Sequence, residues 1–354
     1  MLQNARESGR NSYIPTLDGW RAISISLVVF SHLVPGHPFL VSLGPLGVSI
    51  FFAISGYLIC TLLLQERARR GRISLAGFYV RRAFRILPPA VTYLIVILSL
   101  GLATFPDVLR CFLFAANYLD PTSPYLGHFW SLSMEEHFYM LWPAVLAFSS
   151  DRRGARLAGI GVAAVLVWRE WALTHLNGGN FYHRTDIRLD AFFAPCALAI
   201  VLHSSKLWKE RLGRWLTPTA LAGLIGLVLA FHLASHGSGR LKAVQETIQS
   251  IALPLIVLGT VLNPLGYLGR FLETAPLRFI GRISYSLYLW QEVFVPQRMH
   301  WPVWLRIAAA LGAAAISYYL IEQPFIRMGA WLRTRPPVPV LSMGDLARRL
   351  SADS

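Results

Sequence analysis

About ten apolar runs, each close to the ~20 residues that a helix needs to cross a hydrocarbon core, follow one another along this chain with short polar segments between them. A bilayer offers no water to a free backbone N–H or C=O, so such runs fold as internally bonded helices. They fall near residues 17–35, 44–64, 86–105, 129–148, 155–173, 188–203, 215–235, 247–263, 281–297 and 303–323. The expected fold is all-α, a polytopic membrane helix bundle of about ten transmembrane helices. Residues 1–335 make one transmembrane domain in this reading. Residues 336–354 make a proline-rich, then polar tail, with a short surface helix over 342–350.

The charge pattern orients the bundle. Only 14% of residues are charged, against 55% hydrophobic, yet the net charge is +15. Arginines gather in alternate connections: Arg67 to Arg85 after the second run, Arg152 to Arg156, Lys206 to Arg214, and Arg270 to Arg282. The intervening segments hold few, such as Arg110 and Arg184. Short cytoplasmic loops carry the Lys and Arg excess, so both termini are expected in the cytoplasm. Basic residues confined to loops between spans point to phosphate-bearing partners and the lipid bilayer, not to nucleic acid. Arg6 and Arg10 precede the first run as in a signal peptide, but the run holds Arg21 and His32 and no small-residue cleavage site, so a retained helix is expected. Cys60, Cys111 and Cys196 lie singly, with neither metal-ligand spacing nor a disulfide framework.

Polar side chains inside the runs mark the chemistry. Arg21 and His32 are eleven residues apart in LDGWRAISISLVVFSHL, which puts them on one helix face about 16 Å apart along the axis. An ionisable group in a membrane helix is costly unless a partner, a wet cavity or a substrate offsets its desolvation. In HFWSLSMEEHFYMLWP, helical spacing aligns His128, Ser131, Glu135 and Tyr139, with Glu136 about 100° away. The pair Glu135 and Glu136 either caps a helix start or presents one carboxylate to a cavity. Ser55 and Gly56 form a small-residue notch that admits a neighbouring helix or a ligand. Arg81, Arg82 and Arg85 in FYVRRAFRILPP can converge on a multiply charged anion such as a nucleotide diphosphate, or anchor the chain at the lipid headgroups; Pro88 and Pro89 end that run. Arg188 and Asp190 read as an ion pair at a helix end, and the Tyr and Ser residues of GRISYSLYLWQ as a polar cavity wall or an aromatic belt.

The ordered set LDGWRAISISLVVFSH, GVSIFFAISGYLI, FYVRRAFRILPP, HFWSLSMEEHFYMLWP, RLDAFF, GRISYSLYLW and IEQPF resembles the integral-membrane acyltransferase-3 family, over residues 17–325. Its members O-acylate surface polysaccharides, lipo-oligosaccharides, peptidoglycan or macrolides. The resemblance implies a multi-pass protein of the bacterial inner membrane. It would take an acetyl or other acyl group from cytoplasmic acyl-CoA and deliver it to a hydroxyl of a glycan, a lipid-linked sugar or a small molecule. It further implies a catalytic set of His32, as base, with Glu135 and Arg21. The donor-binding set is Arg81, Arg82, Arg85, Ser55, Gly56 and Tyr57, and the acceptor-binding set is Arg188, Asp190, Tyr285 and Gln291. No metal is implied. Members often have His where this chain has Gln291. Some carry an esterase-like C-terminal domain, which a sequence ending at Ser354 is expected to lack. The competing class is a transporter or flippase for a lipid-linked sugar, against which stands the lack of an internal repeat.

Overall fold

The computed structural model describes residues 13–33, 38–175, 181–234, 239–296 and 301–334. The expected tail over 336–354 lies outside them. Among the described residues every regular element is helical.

The apolar runs all became helices. Helix α1 is Pro15–Leu33, α2 Pro38–Arg70, α3 Leu75–Ser99, α4 Phe105–Phe112, α5 Phe129–Ala147, α6 Asp151–His175, α7 Asp190–Ser204, α8 Lys206–Trp215, α9 Pro218–Ala234 and α10 Gly239–Leu262. Two short helices, α11 (Tyr267–Leu272) and α12 (Ala275–Arg282), lead into α13 (Ser284–Phe294). Helix α14 (Val303–Ser317) passes through a π-helical turn, Tyr318–Glu322, into α15 (Gln323–Thr334). By length and composition five of these stretches are able to cross a membrane: α2, α3, α6, α10 and the continuous Val303–Leu332. Helix α7 joins them only if it is counted with α8, from which it is bent by 119°.

Helix ends reach further than the apolar runs, into the basic stretches 67–70 and 152–156 expected as loops, and two differences change the reading of a segment. Pro88 and Pro89 do not end a segment; α3 runs through them, so Arg81, Arg82 and Arg85 share one helix with the apolar stretch that follows. Each proline removes one backbone donor, which leaves the Phe84 and Arg85 carbonyls without their helical partners; close by, Thr92 donates to the Pro88 carbonyl (2.9 Å) and Tyr285 to the Ile86 carbonyl (2.8 Å). The basic stretch 206–214, expected as a loop, is helix α8, started by Ser205, whose hydroxyl accepts from the Trp208 amide.

Polar bonds tie the helices at their ends. Arg67 of α2 donates to the Leu146 (3.0 Å) and Ser149 (2.6 Å) carbonyls and pairs with Asp151, satisfying the C-terminal carbonyls of α5 while fixing the turn into α6. The Trp20 indole donates to Thr260 (2.8 Å), joining α1 to α10. Helix α1 also lies hard against α12, where a Cβ on Gly281 would sit 1.8 Å from the Asp18 carbonyl oxygen, so only glycine fits. Between α2, α5 and α7, Phe138 stacks on the Phe192 ring (4.7 Å between centroids) and Phe52 packs on it at a 36° tilt (4.5 Å), fixing the wall behind the cavity described next.

Candidate active site

A cavity lies among α1, α2, α3, α5 and α13. Of the α5 face predicted from helical spacing, Ser131, Glu135 and Tyr139 line it and His128 does not; Glu136 does not line it either. Glu135 accepts a hydrogen bond from Ser55 (3.1 Å) and another from Tyr139 (3.0 Å), and Tyr139 also donates to Ser55 (3.1 Å). Opposite this triangle stand Arg21, Arg82 and Arg85. The Arg82 guanidinium lies 4.8 Å from the centre of the Tyr139 ring and 5.7 Å from that of Phe78. Arg21 has Asp18 at 3.6 Å, but neither Arg82 nor Arg85 forms an ion pair among the described residues.

The basic end of this cavity borders two further spaces. Arg82 and Arg85 also line a groove of about 1400 Å³ between α2, α3 and α15, together with Arg69, Arg70, Arg81 and Glu66. Glu66 is held between Arg81 (3.2 Å) and Arg70 (3.5 Å). Arg21 and Arg85 also border a chamber of about 880 Å³ that holds Asp18, Arg282 and Glu322. The π-helical turn carries Glu322 into the interior, where Ser286 donates to it at 2.9 Å.

His32 has partners other than the expected one. Its Nδ1 is 2.9 Å from Gln291 Oε1 and its Nε2 3.3 Å from Glu292 Oε1, both on α13. Glu135 is engaged by Ser55 and Tyr139, so the carboxylate beside the histidine is Glu292. Glu292 was missed in the sequence, although a carboxylate in an apolar run was itself the signal.

Several residues grouped by sequence are separated in space. Of Ser55, Gly56 and Tyr57, only Ser55 lines the cavity. Gly56 faces α7, where a Cβ would lie 2.6 Å from the Phe192 carbonyl oxygen, so it sets a helix contact. Tyr285 lines the cavity with its hydroxyl tied to Ile86. Arg188 and Asp190 do not pair with each other. Arg188 pairs with Glu246 (2.5 Å) and donates to Ser49 (2.7 Å), and Asp190 pairs with Arg169 (2.5 Å), all nearly inaccessible. Both stand away from the cavity, in a tightly packed polar cluster with Ser49, Glu246, Gln249 and Ser250. Among the described residues no three His, Cys, Asp or Glu side chains are grouped to hold a metal ion.

The bundle thus holds a basic cavity with a basic groove beside it, and His32 with its α13 partners stands outside the residues that line that cavity. The chain belongs to the acyltransferase-3 family, whose acyltransferase domain matches residues 14–328. It is similar to the peptidoglycan O-acetyltransferase OatA of Listeria monocytogenes (27% identical, over 90% of this chain and 56% of that protein). It is also similar to the O-acetyltransferase OatA of Staphylococcus aureus (30%, over 90% and 58%) and to a putative O-acetyltransferase of the same species (29%, over 90% and 58%). The chain thus spans somewhat more than half the length of these curated relatives. No solved structure matches it.

Proposed function

We propose that this protein is a membrane O-acetyltransferase that moves an acyl group from cytoplasmic acyl-CoA to a hydroxyl of an envelope glycan. The observation that carries the reading is the pair of unpaired guanidiniums, Arg82 and Arg85, shared by the open basic groove and the buried cavity. The diphosphate and 3′-phosphate of CoA match the groove, with Arg81 contributing, and the extended pantetheine matches the cavity beyond. Peptidoglycan is the glycan indicated by the name of the Listeria relative. The arginine distribution supports ten spans with both termini in the cytoplasm of a bacterial cell, which puts the groove on the donor side and His32 toward the outer side.

In this mechanism the acceptor hydroxyl oxygen attacks the thioester carbonyl while His32 takes its proton. The C–S bond breaks as the new C–O bond is kept, and the thiolate leaves with the proton returned by His32. Arg21, on the same helix face as His32, lies at the cavity's basic end and balances the charge of the donor. Arg188 and Asp190 serve as structure rather than as acceptor ligands, because each already has an ionic partner.

Proteoliposomes loaded with radiolabelled acetyl-CoA and given tetra-N-acetylchitotetraose outside test the reading. Label is expected on the external glycan, and His32→Ala is expected to abolish it. Transfer at the parent rate by His32→Ala removes His32 from the chemistry. Transport of the glycan without acetylation favours the flippase class.

A further inference from the structure

Helical spacing aligns His128 with Ser131, Glu135 and Tyr139, yet its ring does not line the cavity. It is 5% exposed and packed among the rings of Tyr93, Phe129 and Tyr288, at 5.4, 4.9 and 5.4 Å between centroids. Among the described residues neither of its ring nitrogens has a hydrogen-bond partner. An imidazole carries at least one N–H in every protonation state, and an aromatic face gives that group only a weak contact. A buried donor without an acceptor costs stability, so this one calls for an acceptor that the fold itself does not supply.

Tyr288 stands between the ring and the cavity. It lines the cavity and meets the His128 ring nearly at right angles (76°). Its hydroxyl lies 2.5 Å from Ser131 Oγ and donates to the His128 carbonyl at 3.0 Å, and the Phe51 ring packs on it at 6.4 Å. This wall is far from the basic end: Ser131 is eight residues, about 12 Å, along α5 from Tyr139, on which Arg82 rests. Beside Ser131 and Tyr288 the lining is apolar, with Phe51 and Leu132. A donor whose phosphates lie on Arg82 and Arg85 therefore brings its acyl end here. Gln291, the partner of His32, is the next turn of the same α13 face, so a group that passes Tyr288 moves toward His32.

We propose that His128 is a further catalytic residue, the hydrogen-bond donor to the acyl carbonyl oxygen, reached when Tyr288 swings aside. As the acceptor oxygen bonds to the carbonyl carbon, an electron pair of the C=O bond moves onto the carbonyl oxygen; it returns as the C–S bond breaks and the thiolate leaves. The His128 N–H keeps its hydrogen throughout and holds the passing negative charge. A donor already fixed in a dry aromatic cage does this more strongly than water and without reorganising. The proposal rests on the acyl-transfer reading, and not on which group takes the hydroxyl proton.

The test uses the full chain in proteoliposomes with acetyl-CoA and tetra-N-acetylchitotetraose, and reads thiol release. His128→Phe fills the aromatic cage without a donor and is expected to lower kcat by about 100-fold, with KM for acetyl-CoA within about two-fold of the parent. It is expected to melt no lower than the parent, because an unpartnered polar group has been removed. His128→Gln, which returns an N–H, is expected to recover part of the kcat. Tyr288→Leu removes the cover and is expected to raise thiol release in the absence of glycan, whereas Tyr288→Leu/His128→Phe is expected not to. A parental kcat in His128→Phe, or in His128→Leu should the first not fold, overturns the assignment. An equal rise in the double variant also overturns it, since the cover then guards another group. A parent chain that moves no acyl group at all instead overturns the acyl-transfer reading, and the proposal with it.

Discussion

Two regions of this bundle bury charge, and they do so in opposite ways. Behind α2, Arg169 pairs with Asp190 and Arg188 with Glu246, two cations matched by two anions. Each also makes neutral bonds: Arg169 to the Ile187 carbonyl (2.9 Å) and Thr247 (3.0 Å), and Arg188 to Ser49. In the cavity, Arg21 pairs with Asp18 at 3.6 Å, while Arg82 and Arg85 form no ion pair among the described residues and the lining carboxylate Glu135 spends its bonds on Ser55 and Tyr139. Both sets are buried arginine and acid, and both look functional in a membrane sequence. Only the second leaves positive charge for something else to neutralise. A matched network holds helices together; an unmatched one waits for an anion.

That contrast is broken most forcefully at the matched network. Arg188→Met alone strands Glu246 without its cation and is expected to cost about 3–5 kcal/mol, seen as a lowered melting temperature in detergent. Arg188→Met with Glu246→Leu is expected to restore most of that loss, because a well-packed apolar pair replaces a buried ion pair at little cost. If the double variant is as unstable as the single one, the network is more than a self-neutralising clamp. Within the cavity the effects are smaller. Ser55→Ala removes one hydrogen bond to Glu135 and is expected to cost about 1 kcal/mol in stability, again read by melting.

A still smaller effect belongs to the segment between α3 and α5, outside the long apolar helices. Burial of Asp107 alone raises its pKa, but the hydroxyl and amide of Thr122 and the nearby Arg110 outweigh this and hold it below the usual carboxylate value. A folded pKa below the unfolded one means that ionisation stabilises the fold above the unfolded value near ~3.9, and that this is lost as pH falls through the folded value. Melting temperature is expected to drop as pH falls below about 4, and to drop less in Thr122→Val.

The parts that were legible in the sequence are those set within one helix. The apolar runs became helices because length and hydropathy decide that locally, and Ser131, Glu135 and Tyr139 share a face because four residues make about one turn. The length of α3 was not legible, since the pattern along the chain does not say whether Pro88 and Pro89 end a helix or lie within one. Partners across helices were legible least. His32 meets α13 and not α5, and Arg188 meets Glu246 and not Asp190, because such pairs depend on how helices pack, which no spacing along one chain contains. Gly56 shows the same limit: small-residue character predicted a close approach, but not whether a ligand or α7 would make it.

The account's central claim is that the unmatched charge of the cavity and its groove is there to bind the donor. Calorimetric titration of acetyl-CoA into the full chain in lipid nanodiscs tests it directly, with Arg82→Gln/Arg85→Gln beside Arg188→Met/Glu246→Leu. The account predicts that the first double variant loses at least about 30-fold in affinity and melts like the parent, while the second binds within about two-fold of the parent. Parental affinity in Arg82→Gln/Arg85→Gln would contradict it.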